Sequence, residues 1–326
     1  MAKASLFRTL MMLAAAALAA SVLILVSAGE PVQGTPGAKG KIAFASARAG
    51  HLDIWVMNDD GTNPVQLTND RGDDVFPAWS PDGTRIAFSH SLVPGDPTSN
   101  EIFVMNADGT GQTRLTFNDS RDAKPNWSPD GTKIAFIHVD LQGDPPVPNR
   151  EIYVMDSNGD NQINLTNDPA FDIDPAWSPD GKRIAFASDR SSALAVYTMQ
   201  PNGKNLRKLT DDSLNAFAPA WSPGGDKLAF ADEGCATCEE SDLFVMKADG
   251  TGVTQLVDTT PENEVDPTWS PDGTRIAFAR SLLTSNEKHF VSNSAEIYVV
   301  GTDGKGLTNL TKSPGSDDVH PNWSPK

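Results

Sequence analysis

The chain has 326 residues, 38% of them hydrophobic and 21% charged, the composition of an ordinary globular protein long enough to bury a sizeable core in one large domain or two smaller ones. Its formal charge of −17 argues against nucleic acid and against anionic membrane surfaces as partners, and it favours cations or basic protein segments. Two cysteines, Cys235 and Cys238, are too few for a disulfide framework or a four-thiolate metal site.

At the N-terminus Lys3 and Arg8 precede an apolar run from Leu10 to Val26, and Ser27 and Ala28 supply small residues of the kind a signal peptidase accepts. This pattern predicts an export signal over residues 1–28. The run also approaches the length of a membrane span, so an uncleaved N-terminal anchor is the alternative. Residues 29–40 are rich in Gly and Pro without apolar periodicity and read as a flexible linker. The folded part is expected over 41–326.

From there the sequence repeats. The string Trp-Ser-Pro occurs at Trp79, Trp127, Trp177, Trp221, Trp269 and Trp323. Between these marks the same segments recur in the same order. "IAF" comes first, at Ile42, Ile86, Ile134, Ile184 and Ile276 ("LAF" at Leu228), followed by an "IYVM"-like run, a turn and "LT". Each unit therefore holds four short segments bounded by Gly, Pro, Asn or Asp and rich in β-branched and aromatic residues, a pattern of strands. "SPDG" follows most of the tryptophans, and an Asp-Gly or Asn-Gly pair closes a second turn in every unit (Gly61, Gly109, Gly159, Gly203, Gly250, Gly304). Unit five departs from the first pattern with Pro223-Gly224-Gly225.

Four antiparallel strands per 40–50 residues is the signature of a β-propeller blade. The predicted fold is all-β: a six-bladed β-propeller of four-stranded antiparallel blades. Its first blade lacks a "WSP" strand and its last "WSP" lacks a following "IAF", so the C-terminal strand is expected to close the ring onto residues 41–68, removing exposed sheet edges.

The units "DPAWSPDGKRIAFAS", "EIYVMDSNG" and "INLT" resemble the TolB-type (WD-like) β-propeller repeat family across residues 41–326, without the N-terminal α/β domain that accompanies this propeller in TolB. The resemblance implies the fold, export to the periplasm or the cell exterior, and a habit of binding protein partners. The same repeat also occurs beside peptidase domains and in propeller lyases acting on pectic oligosaccharides, so fold alone does not assign function.

Loop lengths distinguish the two faces. The "SPDG" and "DG" turns are tight, whereas the connection after each "IAF" strand varies widely, as expected of a binding face on a rigid scaffold. His51, His90, His138 and His289 are expected in these long loops, and His320 enters the inner strand from the same side. Three residues before the Pro of each "PxW" stand Asp74, Asp122, Asp172, Ala216, Glu264 and Asp318. Five carboxylates around a channel mouth would repel, raise one another's pKa and favour a counter-cation; the alternative is that each forms a local turn hydrogen bond. The residue just before that Pro varies (Phe76, Lys124, Asp174, Ala218, Asp266, His320), as the lining of a pore would.

Other features read first as structure. One tryptophan per blade suits packing between blades, and Met57, Met105, Met155, Met199 and Met246 share one core slot. Cys235 and Cys238 suit a local disulfide in an exported chain, with a redox pair or partial metal site as alternatives. No cofactor is required by the sequence. His90, His138 and His289 are candidate ligands for a divalent cation, for which calcium is one possibility, but they lack ligand spacing. There is no nucleophile elbow, zinc-protease motif or phosphate-binding loop. The reading is a non-catalytic, monomeric exported propeller. It binds a protein or peptide of basic character at the long-loop face and acidic channel mouth, binds no nucleic acid, and meets a membrane only through its N-terminal segment. The alternative is a metal-dependent lyase or hydrolase acting on an oligosaccharide at the same face.

Overall fold

The computed structural model describes residues 40–140, 149–233, 241–257, 262–282 and 295–325, so the expected signal and nearly all of the linker lie outside the described residues. Six sheets of four antiparallel strands make up the fold, and a 3-10 turn over Pro97–Ser99 is the one helical element among the described residues. In each blade the strands follow one another outward from the one that ends in the motif tryptophan. In blade 2, for example, Asp74–Trp79 is innermost, followed by Arg85–Ser91, Asn100–Asn106 and Thr113–Arg114.

Blade 1 is assembled from both ends of the chain. Its three outer strands are Lys41–Ser46, Asp53–Asn58 and Val65–Gln66, and its innermost strand is Asp318–Trp323, with Ile42 opposite Trp323 and Ser46 opposite Asp318. The expected closure is therefore present, and every inner strand has a hydrogen-bonded neighbour.

The "IAF" strands are apolar at consecutive positions because both faces of a blade are covered. Ile42 and Phe44 pack with Ala277 and Ile297 of blade 6, whereas Ala43 and Ala45 pack with Ile86 and Phe88 of blade 2. Strand alternation thus sends large residues to one neighbour and small ones to the other. The six phenylalanines of the repeat (Phe44, Phe88, Phe136, Phe186, Phe230, Phe278) are fully buried, each contributing roughly 1.5–3 kcal/mol. The five methionines fill their shared slot at 0–2% exposure.

The tryptophans couple neighbouring blades. The indole N–H of Trp127, Trp221 and Trp269 donates to the carbonyl of Ala78, Ala176 and Ala220 in the preceding blade, each at 3.1 Å. Asn126 and Asn322, each just before a motif tryptophan, link their blade to the next through the side chain, accepting from the backbone N–H of Trp177 and Trp79 at 2.9 Å. Arg85, Arg183 and Arg275 lie over Trp127, Trp221 and Trp323 at 4.4–5.0 Å from the ring centroid.

Turn chemistry fixes the strand ends. In the "SPDG" turn of blade 2, Asp82 accepts from the Ser80 hydroxyl at 2.6 Å and from Thr84 N–H at 3.0 Å. Unit five has Gly224 where four of the others have Asp, and Asp226 takes over, accepting from Ser222 at 3.0 Å. Gly109 of the Asp-Gly turn has φ of +86°, and a Cβ there would stand 2.6 Å from the Leu67 carbonyl of blade 1.

Candidate functional site: the central channel

A shared kink in the inner strands builds the site. Phe76, Lys124, Asp174, Ala218, Asp266 and His320 all have φ between +48° and +59°, in the left-handed region, and each inner strand shifts register at this point. A residue before proline prefers extended backbone, and a left-handed conformation costs a non-glycine residue of order 1–3 kcal/mol. The following prolines cannot donate to the ladder, so the bulge falls where pairing is already interrupted. These six residues, with their prolines, line a central cavity of about 220 Å³.

Their side chains form one connected group. Lys124 Nζ reaches Asp174 Oδ1 at 2.7 Å and Asp266 Oδ1 at 3.4 Å, and stands 4.8 Å from the centroid of the Phe76 ring. The His320 ring lies against Phe76 with centroids 3.8 Å apart, and its Nε2 is 3.5 Å from Asp266 Oδ2. Asp174 Oδ2 accepts from the backbone N–H of Ala218 at 3.0 Å, which ties blade 4 to blade 5.

Burial opposes the charge of Lys124, but Asp174 and Asp266 outweigh it and hold the ammonium above the usual lysine range. Burial likewise opposes the charge of Asp266, yet Lys124 and His320 more than offset it and keep the carboxyl below its usual range. His320 is pushed down to about 4, by burial first and by Lys124 as well, against the pull of Asp266. Near neutral pH the channel therefore holds a lysine cation, two carboxylates and a neutral imidazole. The balance is one negative charge, together with an aromatic wall.

The five carboxylates expected at the channel mouth are placed differently. Asp74, Asp122, Asp172, Glu264 and Asp318 are fully buried, and none lines the cavity. Each meets a cationic or imidazole partner from the second strand of its own blade or the residues just beyond it. Asp172 is held by Arg190 at 2.8 Å, Asp318 by Arg48 at 2.8 Å, Glu264 by Arg280 at 3.4 Å, Asp74 by His90 at 2.8 Å and Asp122 by His138 at 2.7 Å. The carboxylates do not face one another across a channel, so the counter-cation expected of such a ring is supplied within the fold. The reason is energetic: a carboxylate removed from water needs a partner at hydrogen-bond distance, and the adjacent strand provides it.

His90 and His138 correct the loop expectation in the same way. Both lie in strands, Arg85–Ser91 and Lys133–Asp140, directly opposite Asp74 and Asp122. Burial lowers the affinity of each imidazole for a proton, but the aspartate hydrogen bond and charge prevail and leave both pKa values raised. The two histidines do not share a cluster among the described residues. His289, Cys235 and Cys238 lie outside those residues.

Sequence reasoning missed the arginines. A Ser-x-Arg after "IAF(A)", as in Ser46–Arg48 and Ser188–Arg190, was the available signal, since the serine hydroxyl accepts from the arginine Nε at 2.8 Å in both. It also missed a second recurring lock, in which an acid opening the third strand accepts from the threonine of "LT", as in Glu101 with Thr116, Glu151 with Thr166 and Glu296 with Thr311.

The chain matches the family described as the TolB beta propeller domain over residues 31–147 and 144–215, more than half of its length. It belongs to the TolB β-propeller domain family. A Tol-Pal system protein TolB from Desulfosudis oleivorans is 38% identical to this TolB-type propeller over 61 residues, which is 18% of this chain and 14% of the relative. The match thus spans a small part of that relative's length. The crystal structure of TolB from Acinetobacter baumannii superposes on 90% of this chain and 69% of its own with a TM-score of 0.73 at 25% identity. The oligogalacturonate lyase of Vibrio parahaemolyticus superposes on 82% of this chain and 74% of its own, with a TM-score of 0.55 at 17% identity, a likeness of fold. Among the described residues of the TolB-type propeller, no helix is long and apolar enough to cross a membrane.

Proposed function

We propose that this chain is an exported, non-catalytic propeller that binds a protein or peptide partner at the long-loop face, and that the central channel receives a basic or hydrogen-bond-donating segment of that partner. One observation carries the reading. Six strained backbone positions, equivalent by repeat, present six side chains that are mostly unlike to one cavity, while the repeated carboxylates beside them are sealed into the blades. Strain kept at equivalent positions whose side chains differ is a feature of sites that recognise something. The remaining negative charge suits a cationic group, and Phe76 offers it a ring face. The relative named for the Tol-Pal system supports a protein partner and an address in the cell envelope, and the N-terminal pattern of residues 1–28 supports export. The lyase reading finds less support: His90 and His138 are engaged by their own blades, and among the described residues His320 is the one histidine lining the cavity.

The test fills the channel. Lys124 shows that lysine is tolerated at this kinked position, so Ala218→Lys adds bulk and positive charge while keeping the backbone donor to Asp174. With the exported protein as bait against envelope and secreted fractions, the wild type should capture a partner, less so as salt rises. Ala218→Lys should lose it at least tenfold with the melting temperature preserved. Undiminished capture by the stably folded variant would remove the channel from the binding surface.

A further inference from the structure

The blades handle their buried acids in different ways, and blade 2 stands apart. In blade 3, Asn118 precedes Asp122 by four residues and its amide donates to Asp122 Oδ2 at 2.8 Å, completing what His138 begins. In blade 4, Asp168 holds the position of Asn118, and Arg190 lies between the acids, at 4.0 Å from Asp168 and 2.8 Å from Asp172. Blade 2 combines the acid of blade 4 with the histidine of blade 3. Asp70 replaces the amide, Leu92 stands where the arginine would be, and His90 faces two carboxylates through one nitrogen. Its Nδ1 is 2.8 Å from Asp74 Oδ1 and 3.6 Å from Asp70 Oδ1. Asp74 is fully buried and its other oxygen, Oδ2, has no hydrogen-bond partner. Asp318 also leaves one oxygen unpaired, but a guanidinium meets its charge. Thr68, the neighbouring hydroxyl, donates to Asp53 at 3.5 Å, and Asp53 adds a further carboxylate to the field around Asp74.

The backbone holds this arrangement in place. Gly72 N–H donates to Asp70 Oδ1 at 3.0 Å, and Ser91 N–H donates to the carbonyl of Asp73 at 2.9 Å. At Gly72 the link runs so close to the second strand that a Cβ would stand 2.1 Å from the Ser91 carbonyl and 2.8 Å from His90 Cε1. The glycine is what brings Asp70 against His90. Asp70 keeps 42% of its side chain exposed, so one side of the group opens to solvent.

We propose that Asp70, Asp74 and His90 form a divalent transition-metal site, with Zn²⁺ as its natural test ion, pinning the link between blades 1 and 2 to the second strand of blade 2. One ligand atom from each residue lies within 4.8 Å of the others. Adjacent ligands about 2.1 Å from a tetrahedral ion stand roughly 3.4 Å apart, and the two separations at Nδ1 bracket that value. An imidazole nitrogen with two carboxylates suits zinc or manganese better than calcium, which takes six or more oxygens. On binding, the ion takes the place of the proton on Nδ1, which leaves to water, and a solvent molecule on the Asp70 side completes the coordination. The site is separate from the channel residues and needs no partner.

The test is calorimetric titration of the purified full-length protein, stripped of metal, with Zn²⁺ at pH 7.5. A Cys235→Ser/Cys238→Ser background keeps thiolates from contributing. The expected result is one site with micromolar or tighter affinity and a melting temperature that rises with Zn²⁺ concentration. Asp70→Asn, which installs the amide of blade 3, should weaken binding by at least about tenfold while leaving the metal-free melting temperature equal or higher. The reciprocal Asn118→Asp should create a second site. If Zn²⁺ binds only in the millimolar range, or if Asp70→Asn and His90→Gln bind as tightly as the parent, the assignment is overturned.

Discussion

Lys124 on blade 3 meets Asp174 on blade 4 at 2.7 Å, and the same ammonium reaches Asp266 on blade 6 at 3.4 Å, so one cation ties three blades together across the channel. Removing it leaves Asp174 and Asp266 without the cation they share. Lys124→Met should lower the unfolding free energy by about 1–3 kcal/mol at pH 7, less than for a sealed ion pair because the lysine keeps 24% of its side chain exposed. Adding Asp266→Asn should recover part of the loss. Urea denaturation of the three proteins measures both effects, and a single variant as stable as the wild type would contradict the pairing.

His320 makes stability depend on pH in a direction set by its lowered pKa. Unfolded, the imidazole takes up a proton near pH 6.5; folded, it does so only near 4. The unfolded chain therefore binds more protons between these values, and stability falls as pH drops from about 6.5 to about 4, by up to roughly 3 kcal/mol. Asp266, held below its usual range, adds a loss at still lower pH. His90 and His138 have raised values, so their contribution is present at low pH and fades as pH rises. The comparison is accordingly wild type against His320→Gln, whose stability difference should change across this window and stay flat above pH 7.

The closure rests on one strand. Deleting residues 317–326 removes the inner strand of blade 1, exposes the edge at Lys41–Ser46 and strips Trp323 from the core cluster shared with blade 6. The loss should reach several kcal/mol, seen as a fall of about 10 °C or more in melting temperature or as failure to fold. A deletion variant that melts with the full chain would show that the ring does not depend on its C-terminal strand.

Arg190 meets both carboxylate oxygens of Asp172 at 2.8 Å through the single nitrogen Nη2, while its Nε donates to Ser188. Arg190→Ala leaves a fully buried carboxylate without its guanidinium and should cost about 3–5 kcal/mol. Burial, the largest influence on Asp172, already raises its pKa, and without Arg190 only the hydroxyls of Ser188 and Thr166 oppose that rise. The variant should therefore regain stability relative to the wild type as pH falls from 7 to 5. Arg190→Ala/Asp172→Asn should be more stable than the single variant at pH 7. If the single and double variants melt together, the pair is not coupled.

The sequence by itself determined the architecture. Repeated Trp-Ser-Pro, "IAF" and Asp-Gly strings specify strand and turn chemistry residue by residue, and the missing pieces at Lys41 and Trp323 complement each other, so blade number and closure follow from local rules. It also marked the six positions from Phe76 to His320 as variable, because variation inside a repeat is visible without coordinates. The tertiary structure alone decided which way the side chains point. Asp74 and Phe76 are two residues apart on the same inner strand. The left-handed kink at Phe76 sends it to the channel, while Asp74 stays sealed against His90. A two-residue period would have placed both on one face, and only the bulge before proline, a feature of the folded sheet, separates the buried acids from the exposed site. The meeting of Asp70 with His90, 20 residues away, likewise exists because strand pairing and the close approach of Gly72 bring them together.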